Sequence, residues 1–183
     1  MLAPRIDAEG GSFKGLIMMA GTLRKLEDIL LYQIDEMMAD MGWLKRKIAE
    51  KQFKGFKDMF DGMYELSDEE AKAKKVGNGA TLYYFKEMGE HPASEYLKTS
   101  NKPMLIMQGE KDFQVKSDID FKAYKELLGD RSNVTFKLYD GLNHAFVPAI
   151  YSDISKATQE FSVERHIGSD VISDIANWIL SIK

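Results

Sequence analysis

The stretches Leu16-Ile17-Met18-Met19-Ala20 and Met104-Leu105-Ile106-Met107, the second closed by Gly109, are short and contain no polar side chain. A surface helix shows apolar residues every three or four positions, and a strand with one wet face alternates. An unbroken apolar run of four or five residues is instead the mark of a strand buried on both faces. Strands of that kind belong to parallel sheets, whose crossover helices cover both sides. A third strand is expected in the β-branched and aromatic run "NVTFKLY", residues 133–139.

The segments between these runs read as helices. "MLAPRIDAEGG" is the end of one, with Leu2, Ile6 and Ala8 apolar and Gly10-Gly11 as its stop. "SDIDFKAYKELLGD" is a second: Ser117 caps it, Phe121, Tyr124, Leu127 and Leu128 share a face, and Gly129 ends it. Ser169 is expected to cap a last helix carrying Val171, Ile172, Ile175, Ile179 and Leu180 at helical spacing. Residues 23–98 differ in character. They are rich in Lys, Glu, Met and aromatics, with Leu26, Ile29, Leu30, Ile34, Met37 and Met38 at helical spacing and a capping-box pattern from Ser67 to Glu70. Three or four helices and no strand are expected there. The fold class is therefore α/β: about three parallel strands with flanking helices in residues 1–22 and 99–183, interrupted by a helical insertion over 23–98.

Composition removes several functions. The net charge is −4, with acidic and basic residues intermixed, so no basic stripe is available to neutralise nucleic-acid phosphates. The absence of cysteine excludes disulfide scaffolds, thiolate metal sites and cysteine nucleophiles. No run approaches the roughly 18–20 apolar residues of a membrane span, and the first residues lack a secretory pattern, so a cytoplasmic protein without a membrane partner is expected. His91 and His166 have no metal-ligand spacing with another histidine; neither a metal nor a cofactor is expected.

In parallel sheets, chemistry sits in the loops beyond the carboxyl ends of the strands. Three loops qualify: the one after Ala20, the one in "QGEKDFQV" holding Asp112, and the one in "DGLNHAF" holding His144. A carboxylate that accepts a hydrogen bond from one imidazole nitrogen fixes the tautomer and leaves the other nitrogen free to take a proton from a hydroxyl nucleophile. Glu110 and Asp118 lie close enough in sequence to compete with Asp112 for the acid's place. Asp140, in "YDG", reads as a turn former.

The stretch "KPMLIMQGEKDFQV…NVTFKLYDGLNHAFVP", followed by a helix with a tryptophan, resembles the C-terminal half of an α/β-hydrolase. The resemblance is to carboxylesterase-like and dienelactone-hydrolase-like members with a helical lid, and it covers essentially the whole chain. It implies that Asp112 is the triad acid and His144 the triad base. "FKGLIMMAGTLRKLEDILLYQ" resembles the family's strand and loop after the nucleophile helix, and the insertion of about 75 residues corresponds to the lid between strands six and seven. The family's nucleophile lies in G-x-S-x-G on a strand-to-helix turn, and this chain has no such motif. "GGSFKG" comes near, but Lys14 stands where glycine is required and Ser12 precedes a strand. The expectation is a chain that starts after its nucleophile: the C-terminal portion of a serine hydrolase for small-molecule esters or related acyl substrates, inactive alone. The alternative is a non-catalytic α/β module whose strand at residues 14–20 is an exposed edge that pairs with another chain, as a homo-oligomer or with a missing N-terminal fragment.

Overall fold

In the computed structural model, residues 2–39, 41–77 and 79–182 are described. From the N-terminus the helices are α1 (Ala3–Ile6), α2 (Leu26–Ala39), α3 (Trp43–Asp58), α4 (Asp68–Ala73), α5 (Leu82–Glu90), α6 (Ala93–Thr99), α7 (Lys122–Leu128), α8 (Ala157–Ser162) and α9 (Ser169–Ser181). The strands are β1 (Leu16–Met19), β2 (Lys75–Gly77), β3 (Ala80–Thr81), β4 (Met104–Gly109) and β5 (Val134–Tyr139). The chain divides into two compact units, residues 1–23 with 93–183, and residues 24–92.

The first unit is α/β. Its sheet runs β1-β4-β5, all parallel, with Leu16 opposite Met104 and Met104 opposite Val134. β4 lies in the middle, and all six of its residues are buried. Because successive side chains point to opposite faces, the unbroken apolar runs feed two cores at once. Leu16, Met18, Met104 and Ile106 pack with Ala93 and Leu97 of α6 and with Phe121, Tyr124 and Leu128 on the α7 side. Ile17, Leu105 and Met107 point the other way, against Val171, Ile175 and Trp178 of α9. Each such buried aliphatic contributes about 1.5–3 kcal/mol of transfer free energy, so the two layers of helices are held by the strands' own composition. Among the described residues, β1 and β5 are the edges of this sheet.

Two local expectations need correction. Ser117 and Ser169 do not cap their helices. The segment Ser117–Phe121 forms a wide helical turn before α7, and the Ser117 hydroxyl lies 3.4 Å from the Glu110 carbonyl, while Gly168 occupies the cap position of α9. On α9 the apolar residues do not form one buried stripe. Val171, Ile175 and Trp178, spaced four and three apart, face the sheet, whereas Ile172, Ile179 and Leu180 lie around the helix axis and are more than half exposed. The compact unit formed by the insertion ends at Pro92, before the last helix that the sequence assigned to it. Ala93 and Leu97 are buried in the sheet's core, which places α6 in the first unit.

The second unit packs α2 to α5 around Phe60, Met63, Ala71, Leu82 and Phe85, with Phe60 edge-to-face against both Phe56 and Phe85. It also contains an antiparallel β2-β3 pair; strands of three and two residues are too short to show alternation in sequence. The Ser67–Glu70 capping box is closed in both directions, with Ser67 N donating to Glu70 Oε2 at 2.8 Å and Glu70 N donating to Ser67 Oγ at 3.3 Å. Replacing Ser67 by Ala removes the hydroxyl cap and is expected to cost the folded chain about 1 kcal/mol. Denaturant unfolding checks this, as a lower midpoint at unchanged slope. Among the described residues no helix is long and apolar enough to cross a membrane.

Candidate active site

The carboxyl ends of β4 and β5 are neighbours in register, Gly109 opposite Tyr139, so the loops that leave them start side by side. The loop after β4 turns back at once, and Glu110 N donates to Tyr139 O while Lys111 N donates to Leu142 O. This places Asp112 beneath the loop that follows β5. That second loop is closed on itself: Asn143 N donates to Val147 O at 2.9 Å, Ala149 N to Gly141 O at 2.8 Å, and Leu142 bridges Pro148. Gly141 takes the left-handed conformation that the tight return requires. Phe146 does so as well (φ 58°), held there by burial of its ring against Tyr139.

Asp112 and His144 meet. His144 Nδ1 donates to Asp112 Oδ2 at 2.8 Å. The Asp112 side chain is fully buried and has donors on both oxygens. Oδ2 also accepts from Gln108 Nε2 at 2.7 Å, and Oδ1 accepts from the amides of Gln114 (2.8 Å) and Val115 (3.0 Å). Four donors converge on one carboxylate, which leaves the Asp112 rotamer no freedom and assigns the proton of neutral His144 to Nδ1. The imidazole, one-third exposed, then presents the Nε2 lone pair outward. Among the described residues no serine hydroxyl is hydrogen-bonded to Nε2.

Glu110 is paired with Lys111, and Asp118 lines the wall of a cavity of about 350 Å³ shared with Asp112, Phe113, Lys116 and Ser152. Ser12 sits before β1, at the end of the strands opposite His144; β strands this long separate their two ends by roughly 17–20 Å. The loop after Ala20 contributes Thr22, whose hydroxyl donates to the buried Asp120 at 2.7 Å. His91 belongs to the second unit, and His166 lies in the segment before α9.

Sequence reasoning missed Gln108, Asn143 and Glu160. Gln108, the one polar residue inside β4, is 1% exposed and spans Asp112 and the Val115 carbonyl. Its signal was a glutamine in the penultimate place of an otherwise apolar strand. Glu160, on α8, is fully buried and receives Asn143 Nδ2 at 2.6 Å and Arg165 Nη1 at 2.7 Å.

No family model matches the chain. Over 181 residues, 98% of the chain, it is 28% identical to Esterase EstD of Thermotoga maritima, and it spans 40% of that protein's length. The chain is related to α/β-hydrolase-type esterases. Its three parallel strands β1-β4-β5 with flanking helices are consistent with a partial α/β-hydrolase fold. Among solved structures, Est1E from Butyrivibrio proteoclasticus aligns over 81% of this chain and 86% of its own, with 13% identity and a TM-score of 0.30.

Burial works against ionisation of Glu160. Hydrogen bonds from the Tyr151 amide, Arg165, Asn143 and the Ile150 amide outweigh it and hold the carboxyl below the ordinary carboxylate value. A depressed folded-state value means that ionised Glu160 stabilises the esterase-like unit in full above about pH 4.5. That contribution is lost as pH falls through the lower folded value.

Proposed function

We propose that Asp112 and His144 are the acid and base of a serine hydrolase for carboxylic esters or related acyl compounds, with the nucleophile contributed from outside these 183 residues. The observation that carries the proposal is the Nδ1–Oδ2 hydrogen bond of 2.8 Å on adjacent strand ends, with Nε2 left open. A serine hydroxyl placed at Nε2 loses its proton to His144 as it attacks the acyl carbonyl. Asp112 steadies the imidazolium that forms, and His144 returns the proton to the departing alkoxide. Water, deprotonated by the same imidazole, then releases the acyl group. The amide that stabilises the oxyanion belongs to the residue after the nucleophile and lies outside the chain with it. The edge of β1 is where a further strand of the hydrolase sheet pairs, and residues 24–92 are its helical insertion.

Turnover of p-nitrophenyl acetate tests this reading. The purified 183-residue chain is expected to hydrolyse it no faster than its His144→Ala variant does. Turnover by the chain that disappears in that variant would show that the nucleophile is among these residues after all.

A further inference from the structure

The His144 loop is tied down by charged groups that the hydrolytic reaction itself does not use. Asn143, fully buried, works in both directions. Its Oδ1 accepts from the amides of Ala145 (2.9 Å) and Val147 (3.3 Å), and its Nδ2 donates to Glu160 Oε1 (2.6 Å). Glu160 in turn accepts from the amides of Ile150 (3.1 Å) and Tyr151 (2.9 Å) through Oε2 and from Arg165 Nη1 (2.7 Å) through Oε1. Arg165 also donates to the carbonyls of Pro148 (2.6 Å) and Glu160. The carboxylate thus grips both ends of the segment 143–151, and every group around it is a donor. A group that can only accept is needed at that point. Glutamine would turn an NH2 towards amide donors, and aspartate is one carbon too short. Equally, aspartate at 143 would lose the donor to Glu160 and set two carboxylates against each other.

A buried ion pair of this kind is weak evidence for stability, because desolvation offsets most of its attraction. Its better-attested use is to specify one geometry. We propose that Asn143, Glu160 and Arg165 are positioning residues that hold His144 in the one orientation in which Nδ1 reaches Asp112 and Nε2 faces the acyl site. The inference rests on the assignment of His144 as the base, and it makes α8 and the Arg165 turn a strap across the active-site rim rather than a connection to α9.

Proton NMR of the 183-residue chain tests it. The wild type is expected to show a downfield Nδ1 proton of His144, lost in Asp112→Ala. In Asn143→Ala, and in Glu160→Gln, the signal should fall about ten-fold in intensity or vanish through exchange, the change that loss of one charge-assisted hydrogen bond brings to a local equilibrium. Arg165→Lys, which keeps the charge, should recover part of the signal that Arg165→Ala loses. Leu128→Ala, in the core on the other side of the sheet, is the control: it lowers overall stability and should leave the signal intact. If the wild type lacks the signal, the assignment of His144 falls. If the wild type has it and the Asn143 and Glu160 variants keep it, or the Leu128 variant loses it equally, the positioning role is wrong.

Discussion

Joined to a segment that carries the serine nucleophile, His144→Ala is expected to lower kcat by on the order of 10⁴- to 10⁶-fold with little change in KM. Ground-state binding of a small ester needs no base, so the loss should fall on the chemical step. The imidazole is one-third exposed and bonds to Asp112 at the rim, so the variant should unfold at nearly the same temperature as the parent. Asp112→Asn is expected to cost on the order of 10⁴-fold in kcat, because an amide nitrogen facing His144 forces the proton from Nδ1 to Nε2, the atom that must accept. That substitution should also lower stability. Asp112 accepts from Gln108, Gln114, Val115 and His144, and a carboxamide can satisfy only the donors on one side. The two variants therefore separate base chemistry from site construction: the first costs rate alone, the second rate and stability together. Steady-state kinetics combined with thermal unfolding distinguishes them, and an Asp112→Asn protein with full activity would remove the acid from the account.

Gly109→Ala is the second large effect. The glycine ends β4 directly under the His144 loop, and a Cβ there would lie 2.4 Å from the Asn143 carbonyl oxygen and 2.5 Å from that of Leu142. Both are backbone atoms, so no side chain can rotate out of the way. The glycine is required for space rather than for an unusual backbone angle. The loop must lift, and it carries His144 with it, while the neighbouring Lys111 N to Leu142 O bond of 2.8 Å is stretched. Overpacking of this sort costs about 1–3 kcal/mol. A displacement of about 1 Å at a catalytic group costs on the order of 10²-fold in rate. Loss of both stability and kcat is expected; an alanine variant that keeps both would mean that the two rim loops are not locked together as the distances imply.

The parts of this fold that could be read in the sequence are those whose physics is local. Leu16–Ala20 and Met104–Met107 announced strands because a strand covered on both faces suits such runs. Asp112 and His144 stood out because each comes a few residues after a strand. What stayed hidden depends on partners far along the chain. Glu160 sits in "ATQEFS", which reads as an ordinary solvated helix face, and nothing nearby reveals that its carboxylate is buried against residues 143, 150, 151 and 165. Gln108 looks like the polar end of an apolar run until Asp112 folds back over it. Ser117 and Ser169 have the right residue type for caps, but Lys116 and Gly168 occupy those positions, a choice of one residue that propensity does not resolve. The β2-β3 pair is shorter than any pattern could register.

The central claim, that an assembled acid and base here serve a serine lying outside residues 1–183, is tested most directly by covalent labelling with a fluorophosphonate followed by peptide mass spectrometry. The account predicts no adduct on any serine of the 183-residue chain. In a polypeptide extended upstream to include the nucleophile, it predicts one adduct, on the added serine, whose formation is abolished by His144→Ala. A His144-dependent adduct on Ser12, Ser117, Ser152 or any other serine within these residues would contradict it.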